Sequence, residues 1–248
     1  MIGPLRSELL KLRTTRTTLG LLLGAMGLVG LTTVVPLVLA DTEAAPDLSL
    51  YDEGTQRAIF LAPAAATLFA SFVGLLSFTS EFRHGTIRPT FVLVPGRTQV
   101  VAAKLVAAML AGAFVGVAAV AVTYGLAIPW IDAKGFTLWL GREELIEIAV
   151  GVVGACVLWA AIGLGIGAVA RNQVGAIVAV IVWSVVESIL GGVVPRVARF
   201  GPGQAGDALS GSTDRDLLAP LGGLAVLAVW AVAFTIAGVL STSRRDVP

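Results

Sequence analysis

Six long apolar stretches constrain this chain more than any other feature. Five are free of charge, and the sixth is interrupted only by Glu187. A bilayer core about 30 Å thick requires about 20 apolar residues per helix, and every stretch exceeds that length. The stretches cover residues 17–40, 58–80, 105–131, 148–170, 217–243 and, with Glu187 inside it, 172–195.

The composition excludes a soluble domain. Hydrophobic residues make up 56% of the chain and charged residues 13%, against about 25% charged in an ordinary soluble domain. Lipid admits helices or closed barrels, and these stretches lack the alternation of a barrel strand. We therefore predict one all-α membrane domain over residues 1–248. Its six transmembrane helices are expected at residues 17–40, 58–80, 98–130, 146–170, 172–194 and 217–241.

The charged residues between the stretches predict the orientation. With both termini in the cytoplasm, the inner segments carry 11 basic and 3 acidic residues, and the outer segments carry 6 basic and 12 acidic residues. Basic residues concentrate on the cytoplasmic side of membrane proteins, so we expect a multi-pass protein of the cytoplasmic (inner) membrane. The 14 Arg against 3 Lys, with abundant Ala, Val and Gly, fit a GC-rich bacterial genome.

The first 16 residues predict an amphipathic helix on the inner membrane surface. Ile2, Leu5, Leu9 and Leu12 recur at helical spacing, with basic residues between them. The basic residues of this segment include Arg13 and Arg16. The alternative is a simple positively charged anchor, which is compatible with a surface helix.

Glu187 is the one carboxylate inside the six apolar stretches. A helix that begins at residue 172 places it about 22 Å from the inner edge, in the outer third of the bilayer core. An ionisable residue there is a candidate for the translocation path or a gate. The alternative is a hydrogen-bonded structural carboxylate, and the sequence leaves both interpretations open.

Glycine pairs at four-residue spacing predict close contacts between helices. The pairs are Gly20 with Gly24, Gly112 with Gly116, and Gly163 with Gly167. Small residues at this spacing allow two helix backbones to approach. We interpret them as packing positions within the chain, with dimerisation as the less favoured alternative.

The segment between the second and third spans, residues 80–97, carries the most information about function. Ser80 is placed to cap a short helix from Glu81 to His84, and Gly85 is placed to end it. Pro89 prevents the helix from continuing. Such a stiff elbow could transmit force from a soluble partner, although composition alone favours an ordinary positively charged inner loop.

Glu-Phe-Arg-His-Gly-Thr at 81–86, followed by Pro-Gly-Arg at 95–97 and by Lys104, resembles a known pattern. The permeases of type-2 ATP-binding cassette (ABC) exporters carry Glu-x-x-x-Gly-Thr, a Pro-Arg element and a Lys at the start of their third helix. The resemblance implies that this segment docks on a separate ATPase subunit. The residues it assigns to docking are Glu81, Phe82, Arg83, His84, Gly85 and Thr86.

The resemblance also implies the composition of the complex and the class of cargo. Two copies of the permease would pair with two ABC ATPase subunits that bind ATP and Mg, beside membrane lipids and without nucleic acid. The N-terminal surface helix, with Leu5, Leu9, Leu12, Arg13 and Arg16, would lie beside the docking segment. Apolar walls favour a hydrophobic or amphipathic cargo such as a lipid, drug or peptide antibiotic.

The chain itself is not expected to be an enzyme. A phosphate-binding loop needs Gly-x-x-x-x-Gly-Lys, in which a glycine precedes the lysine. The three lysines of this chain follow Leu10, Ala103 and Ala133, so the motif is absent. One His and one Cys provide no metal site and no nucleophile with a partner base. A secondary transporter or channel without an ATPase, and a scaffold subunit that transports nothing, remain the alternative functions.

Overall fold

The computed structural model describes residues 2–85, 97–213 and 216–244, and within these ranges every regular element is a helix. Below, α1 to α10 follow chain order. They are α1 (Ile2–Thr14), α2 (Arg16–Leu39), α3 (Glu53–Phe60), α4 (Ala66–Arg83), α5 (Arg97–Ala133), α6 (Arg142–Ala170), α7 (Gln173–Val193), α8 (Pro195–Ala198), α9 (Pro202–Leu209) and α10 (Pro220–Arg244).

Six helical segments in the described ranges are long and apolar enough to cross a membrane, which confirms the predicted number. Their mean hydropathy lies between 2.1 and 2.5. Helix α5 has 37 residues and continues past both ends of its apolar stretch, residues 105–131.

The second span is not the single helix predicted over residues 58–80. It consists of α3, a 3-10 turn at Ala62–Ala65, and α4. Pro63 lies in the turn, where its missing N–H and fixed φ favour a break in the α-helical hydrogen bonding. The side chain of Asp52 begins α3 by accepting a hydrogen bond of 2.8 Å from the backbone N–H of Thr55.

Helix α6 lies at the centre of the bundle and packs against α4, α5 and α10. At its crossing with α4, a methyl group on Gly74 would overlap the carbonyl oxygen of Ala160, and one on Gly163 would overlap that of Ser71. The predicted packing role is therefore confirmed at Gly163. At Gly20, by contrast, a methyl group would meet nothing within 4 Å.

The remaining predicted glycine positions also lie at helix contacts. A methyl group on Gly112 or Gly116 of α5 would press on Cys156 or Val153 of α6. One on Gly24 would meet the ring of Phe69 at 3.0 Å. Glycines thus set the close approach of α5 and α6, where backbone atoms take the space that a side chain would need.

The end of the bundle away from α1, here called the far end, is held by polar contacts between loops and helices. Arg57 of α3 pairs with Glu144 of α6 and donates a hydrogen bond of 2.8 Å to the carbonyl oxygen of Gly211. Gln56 is fully buried and bonds the backbone at Leu50, Thr137 and Trp139. These contacts fix the far-end connections against the spanning helices.

At the opposite end, here called the α1 end, α1 meets the start of α5 and the end of α4. Thr15 has extended backbone angles (φ −84°, ψ 124°) and separates α1 from α2. Helices α6 and α10 also end there, and α2, α5 and α7 begin there. The start of the predicted docking segment, residues 80–85, therefore lies at an end of the bundle that all the long helices share.

Candidate functional site

Helix α4 extends beyond its apolar stretch and forms the first part of the predicted docking segment. The prediction of a separate short helix capped by Ser80 is wrong, because α4 continues without interruption to Arg83. The predicted end is confirmed, since Gly85 has a left-handed φ of 67° that only glycine adopts without strain. Thr86, Pro89 and the rest of residues 86–96 lie outside the described residues.

Four charged side chains from three helices meet beside this segment, and we call them the ion cluster: Glu8 and Lys11 of α1, Glu81 of α4 and Lys104 of α5. Lys104 Nζ lies 2.7 Å from Glu81 Oε1 and 2.9 Å from Glu8 Oε2. Lys11 Nζ lies 2.7 Å from Glu81 Oε1 and 2.7 Å from Glu8 Oε1. Each ammonium therefore bridges both carboxylates, and the four charges cancel.

Most of the ion cluster is removed from solvent. Lys104 is fully buried, Glu81 is 5% exposed and Glu8 is 6% exposed. The third proton of Lys104 is donated to the carbonyl oxygen of Ser77 at 3.1 Å, so all its donors are used. Both lysines bond Glu81 Oε1, and Glu81 Oε2 is buried without a hydrogen-bond partner among the described residues. Removing one partner of a buried ion pair leaves an uncompensated charge.

Lys11 is the member of the ion cluster that reaches the surface. Half of its side chain is exposed. Burial lowers its pKa, but the hydrogen bonds and charges of Glu8 and Glu81 outweigh that effect and raise the pKa above its ordinary value of 10.5. Lys11 is therefore a permanent cation at neutral pH.

A second set of contacts ties the tip of α4 to three further helices. The guanidinium of Arg171, the residue that ends α6, stacks 5.3 Å from the ring centroid of Phe82. Arg171 also donates a 2.7 Å hydrogen bond to the carbonyl oxygen of Ser241 in α10. Arg83 Nη1 donates to Gln173 Oε1 of α7 at 3.3 Å. The tip of α4 thus contacts side chains from α6 and α7 and connects through Arg171 to α10.

The predicted docking residues differ in how accessible they are. Glu81 is buried in the ion cluster, and Phe82 is half-buried beneath Arg171. Arg83, His84 and Gly85 are exposed. The described docking segment therefore combines an anchored base at Glu81 and Phe82 with a free surface at the three residues that follow.

The first residues form a helix, as predicted, but its most buried side chain is not one of the leucines. Among the described side chains of α1, only Glu8 is buried. Leu5 and Leu12 are half-buried, and Leu9 is 37% exposed. Arg13, on the last turn of α1, and Arg16, the first residue of α2, are both exposed. The apolar residues thus leave part of their surface uncovered, while the acidic residue turns inward to Lys104.

Glu187 lies toward the far end of α7 and is not part of this site. Its Oε2 accepts a 2.9 Å hydrogen bond from Trp183 Nε1, and its Oε1 accepts one of 2.9 Å from the backbone N–H of Gln204. Gln204 lies in the first turn of α9, so the carboxylate caps that helix. A methyl group on Gly201 would overlap the same carboxylate.

These contacts match the interpretation of Glu187 as a hydrogen-bonded structural carboxylate. The residue is only 5% exposed. Both carboxylate oxygens are engaged within the chain. Its role in a translocation path stays a prediction. Its place beside Gly201 explains why a costly charge is kept in this apolar helix, because the α9 backbone N–H groups replace the lost water.

The described residues contain no group of three or more His, Cys, Asp or Glu side chains that could hold a metal ion. No model of a known protein family matches the chain, and no curated protein matches it significantly.

The sequence singled out Glu81 but missed its partners on α1. Glu8 and Lys11 are separated from Glu81 by more than 65 positions, so their proximity is a property of the fold. One signal was present in the sequence. Lys104 is embedded in an apolar helical stretch, where a cation requires a nearby carboxylate.

Proposed function

We propose that the chain is the membrane-spanning permease subunit of an ATP-driven ABC exporter that works with a separate ATPase. In this proposal two copies pair with two ATPase subunits. The cargo is a hydrophobic or amphipathic molecule (a lipid, drug or peptide antibiotic) that crosses the cytoplasmic membrane. The observation that carries the proposal is the exposed tip of α4, anchored in the ion cluster. The sequence resemblance at 81–86, 95–97 and Lys104 supplies the family.

The anchoring supports a role in transmitting force. A displacement of Arg83 or His84 is passed to Glu81, and from there to Lys104 of α5 and Lys11 of α1, through hydrogen bonds of 2.7 Å. Separating a buried ion pair leaves an uncompensated charge, so a movement that keeps these pairs together is favoured. An ATPase that grips this tip would therefore move α1, α4 and α5 together.

The accessibilities refine which residues would touch the ATPase. Arg83, His84 and Gly85 are the exposed part of the described segment, and Thr86 continues the motif outside it. Because Glu81 is buried, we assign it a positioning role, in which its carboxylate holds the tip. Phe82 fulfils a similar role by packing against Phe78, with their ring centroids 5.7 Å apart.

The proposed orientation places the α1 end in the cytoplasm, together with both termini, and α1 at the membrane surface. The exposed cations of this end support it, since cytoplasmic segments are enriched in Lys and Arg. The exposed basic residues described here are Arg6, Lys11, Arg13, Arg16 and Arg83.

Charge reversal at the exposed tip tests the proposal. The chain is co-expressed with the ATPase encoded nearest to it, and the ATPase that co-purifies is quantified. We expect Arg83→Glu to abolish association without altering membrane insertion. The matched control is Arg142→Glu at the far end, where the arginine is also exposed and association should be retained.

Two results would overturn the proposal. One is undiminished association and export in the Arg83→Glu and His84→Ala variants, which would reject the docking surface. The other is movement of cargo by the purified chain with no nucleotide-hydrolysing companion, which would favour a secondary transporter or channel.

A further inference from the structure

A cleft of about 480 Å³ lies at the α1 end, between the α1–α2 pair and α4, with α7 at its edge. Its volume is within the range of about 300–1,000 Å³ that small-molecule sites occupy. The ion cluster forms one wall, through Glu8, Lys11 and Glu81. The mechanism proposed above uses this wall as an anchor and assigns nothing to the space beside it.

The lining of the cleft changes from polar to apolar along the direction of the helices. Thr15, Ser80 and His84 line the part nearest the ends of α1 and α4, whereas Leu21 and Val73 line the part toward the bundle centre. At 1.5 Å per residue, Leu21 lies about 9 Å deeper than Thr15, and Val73 about 10 Å deeper than Ser80. A molecule that fills the cleft must therefore have a polar end and an apolar end.

The charge available to a ligand in the cleft is positive. Both carboxylates of the wall are at most 7% exposed in their side chains and are already bonded to lysines, whereas half of the Lys11 side chain is exposed. An ammonium has three protons, and the two hydrogen bonds of Lys11 in the described residues use two of them. The third proton remains for an anionic ligand, with the Ser80 hydroxyl in the same lining. The Thr15 hydroxyl, also in the lining, donates its proton to the carbonyl oxygen of Lys11.

An apolar groove of about 420 Å³ adjoins this cleft and shares Leu12, Thr18 and Val73 with it. The rest of its lining comes from α1, α2 and α5, and includes Leu110 and Phe114, which are 50% and 62% exposed. The groove extends the apolar surface available to a long hydrocarbon chain. The exposed guanidinium of Arg13 lies at its edge and adds a second cation to the same region.

We propose that the cleft binds one anionic phospholipid, with the headgroup phosphate on Lys11 and an acyl chain along Leu21, Val73 and Leu76. A phosphate oxygen is a strong acceptor for the remaining Lys11 proton, and the burial of the hydrocarbon chain adds the apolar contribution. A cationic amphiphile would meet the exposed ammonium of Lys11, because the carboxylates that neutralise it are at most 7% exposed. A small free anion would leave the apolar part of the cleft unfilled. This inference does not depend on the proposed ATPase.

Intact-complex mass spectrometry of the full chain in detergent tests the site. The chain is titrated with dioleoyl phosphatidylglycerol and, separately, with dioleoyl phosphatidylcholine. We expect one equivalent of phosphatidylglycerol to be retained about tenfold more tightly than phosphatidylcholine. Both lipids carry a phosphate, but the choline ammonium of the second offsets that charge beside Lys11 and Arg13. Equal retention of the two lipids, or retention of many equivalents without saturation, would overturn the proposal.

Three variants locate the binding. Lys11→Gln should weaken phosphatidylglycerol about tenfold, Lys11→Arg should retain it, and Lys134→Gln at the far end is the matched control. Since Lys11→Gln also disturbs the ion cluster, Leu76→Trp provides an independent test that fills the cleft and keeps every charge. Unchanged binding in Leu76→Trp would overturn the proposed location.

The deacylated headgroup glycerophosphoglycerol separates a lipid site from a simple anion site. We expect it not to displace bound phosphatidylglycerol at equal concentration, because it lacks the chain that occupies the apolar part. Displacement at equal concentration would show that the phosphate alone is recognised, and would reject the assignment of an amphiphile.

Discussion

Lys104 and Glu81, joined by a 2.7 Å hydrogen bond between Nζ and Oε1, connect α5 and α4 at the end of the bundle where the predicted docking segment begins. The same carboxylate oxygen accepts a bond from Lys11, so α1 is joined to both helices through one atom. The motif is thereby held against the bundle by charges that solvent hardly reaches. The first two predictions concern this arrangement.

Lys104→Met should strongly destabilise the chain. The methionine keeps most of the side-chain volume but leaves Glu8 and Glu81 with only Lys11 for two buried negative charges. Breaking a buried ion pair costs about 3–5 kcal/mol, which should appear as a large fall of Tm in detergent. Lys134→Met is the control, because Lys134 is exposed and its ammonium lies over the Trp130 ring at 5.7 Å. An equal Tm for the two variants would mean that the ion cluster contributes little.

The contribution of Lys11 to stability should depend on pH. Its pKa is raised in the folded chain, so its stabilising effect is fully present below 10.5 and is lost as the pH rises through the folded-state pKa. We therefore expect Lys11→Gln to lower Tm at pH 8 and the difference from the unmodified chain to shrink above pH 10.5. A difference that stayed constant from pH 8 to 11.5 would contradict the raised pKa.

Gly74→Ala should prevent tight packing of α4 against α6. The new methyl group would overlap the carbonyl oxygen of Ala160, and neither backbone can retreat without separating the helices. Gly20→Ala in α2 is the matched control, since nothing lies within 4 Å of the added group. Alanine is preferred over glycine in a helix by about 1 kcal/mol, so the control should be neutral or slightly stabilising. The Tm values of both variants test whether α4 and α6 pack this closely at Gly74. A Gly74→Ala variant with an unchanged Tm would refute the close packing.

Glu187→Ala should loosen α9 and leave the α1 end unchanged. It removes the acceptor for the Gln204 backbone N–H and for Trp183 Nε1, and loss of a cap costs about 1 kcal/mol. Proteolysis of the loop between α7 and α10 provides the measurement. The isosteric Glu187→Gln variant separates this role from transport, because glutamine retains an acceptor without the charge. Impaired transport in Glu187→Gln with an unchanged proteolysis pattern would instead place the carboxylate in the translocation path.

The sequence predicted the six spanning helices because bilayer thickness imposes a length, and charge-free stretches report that length directly. It also predicted the end of α4 at Gly85, where a left-handed backbone angle favours glycine. It failed at Ser80, where a residue with good capping chemistry instead lies within a continuous helix. The packing of α4 against α6 keeps that helix regular, and local preference cannot register such tertiary contacts.

The composition of the ion cluster could not be predicted, for a different reason. Glu8 and Lys104 are 96 positions apart, and a charged residue near a membrane helix is equally compatible with exposure to water. Only the docking of α1 against α5 makes Glu8 the partner of Lys104. Glu187 presents the same difficulty, since its role as a cap depends on α9 folding back onto α7.

Site-specific photo-crosslinking from His84 determines whether the exposed tip of α4 contacts an ATPase. A photoreactive amino acid replaces His84, or Lys134 at the far end as the matched control, in cells that express the chain together with the ATPase encoded nearest to it. We predict that residue 84 crosslinks to a nucleotide-binding ATPase and that residue 134 does not. Efficient labelling of lipid or other membrane proteins from residue 84, with no ATPase adduct, would contradict it.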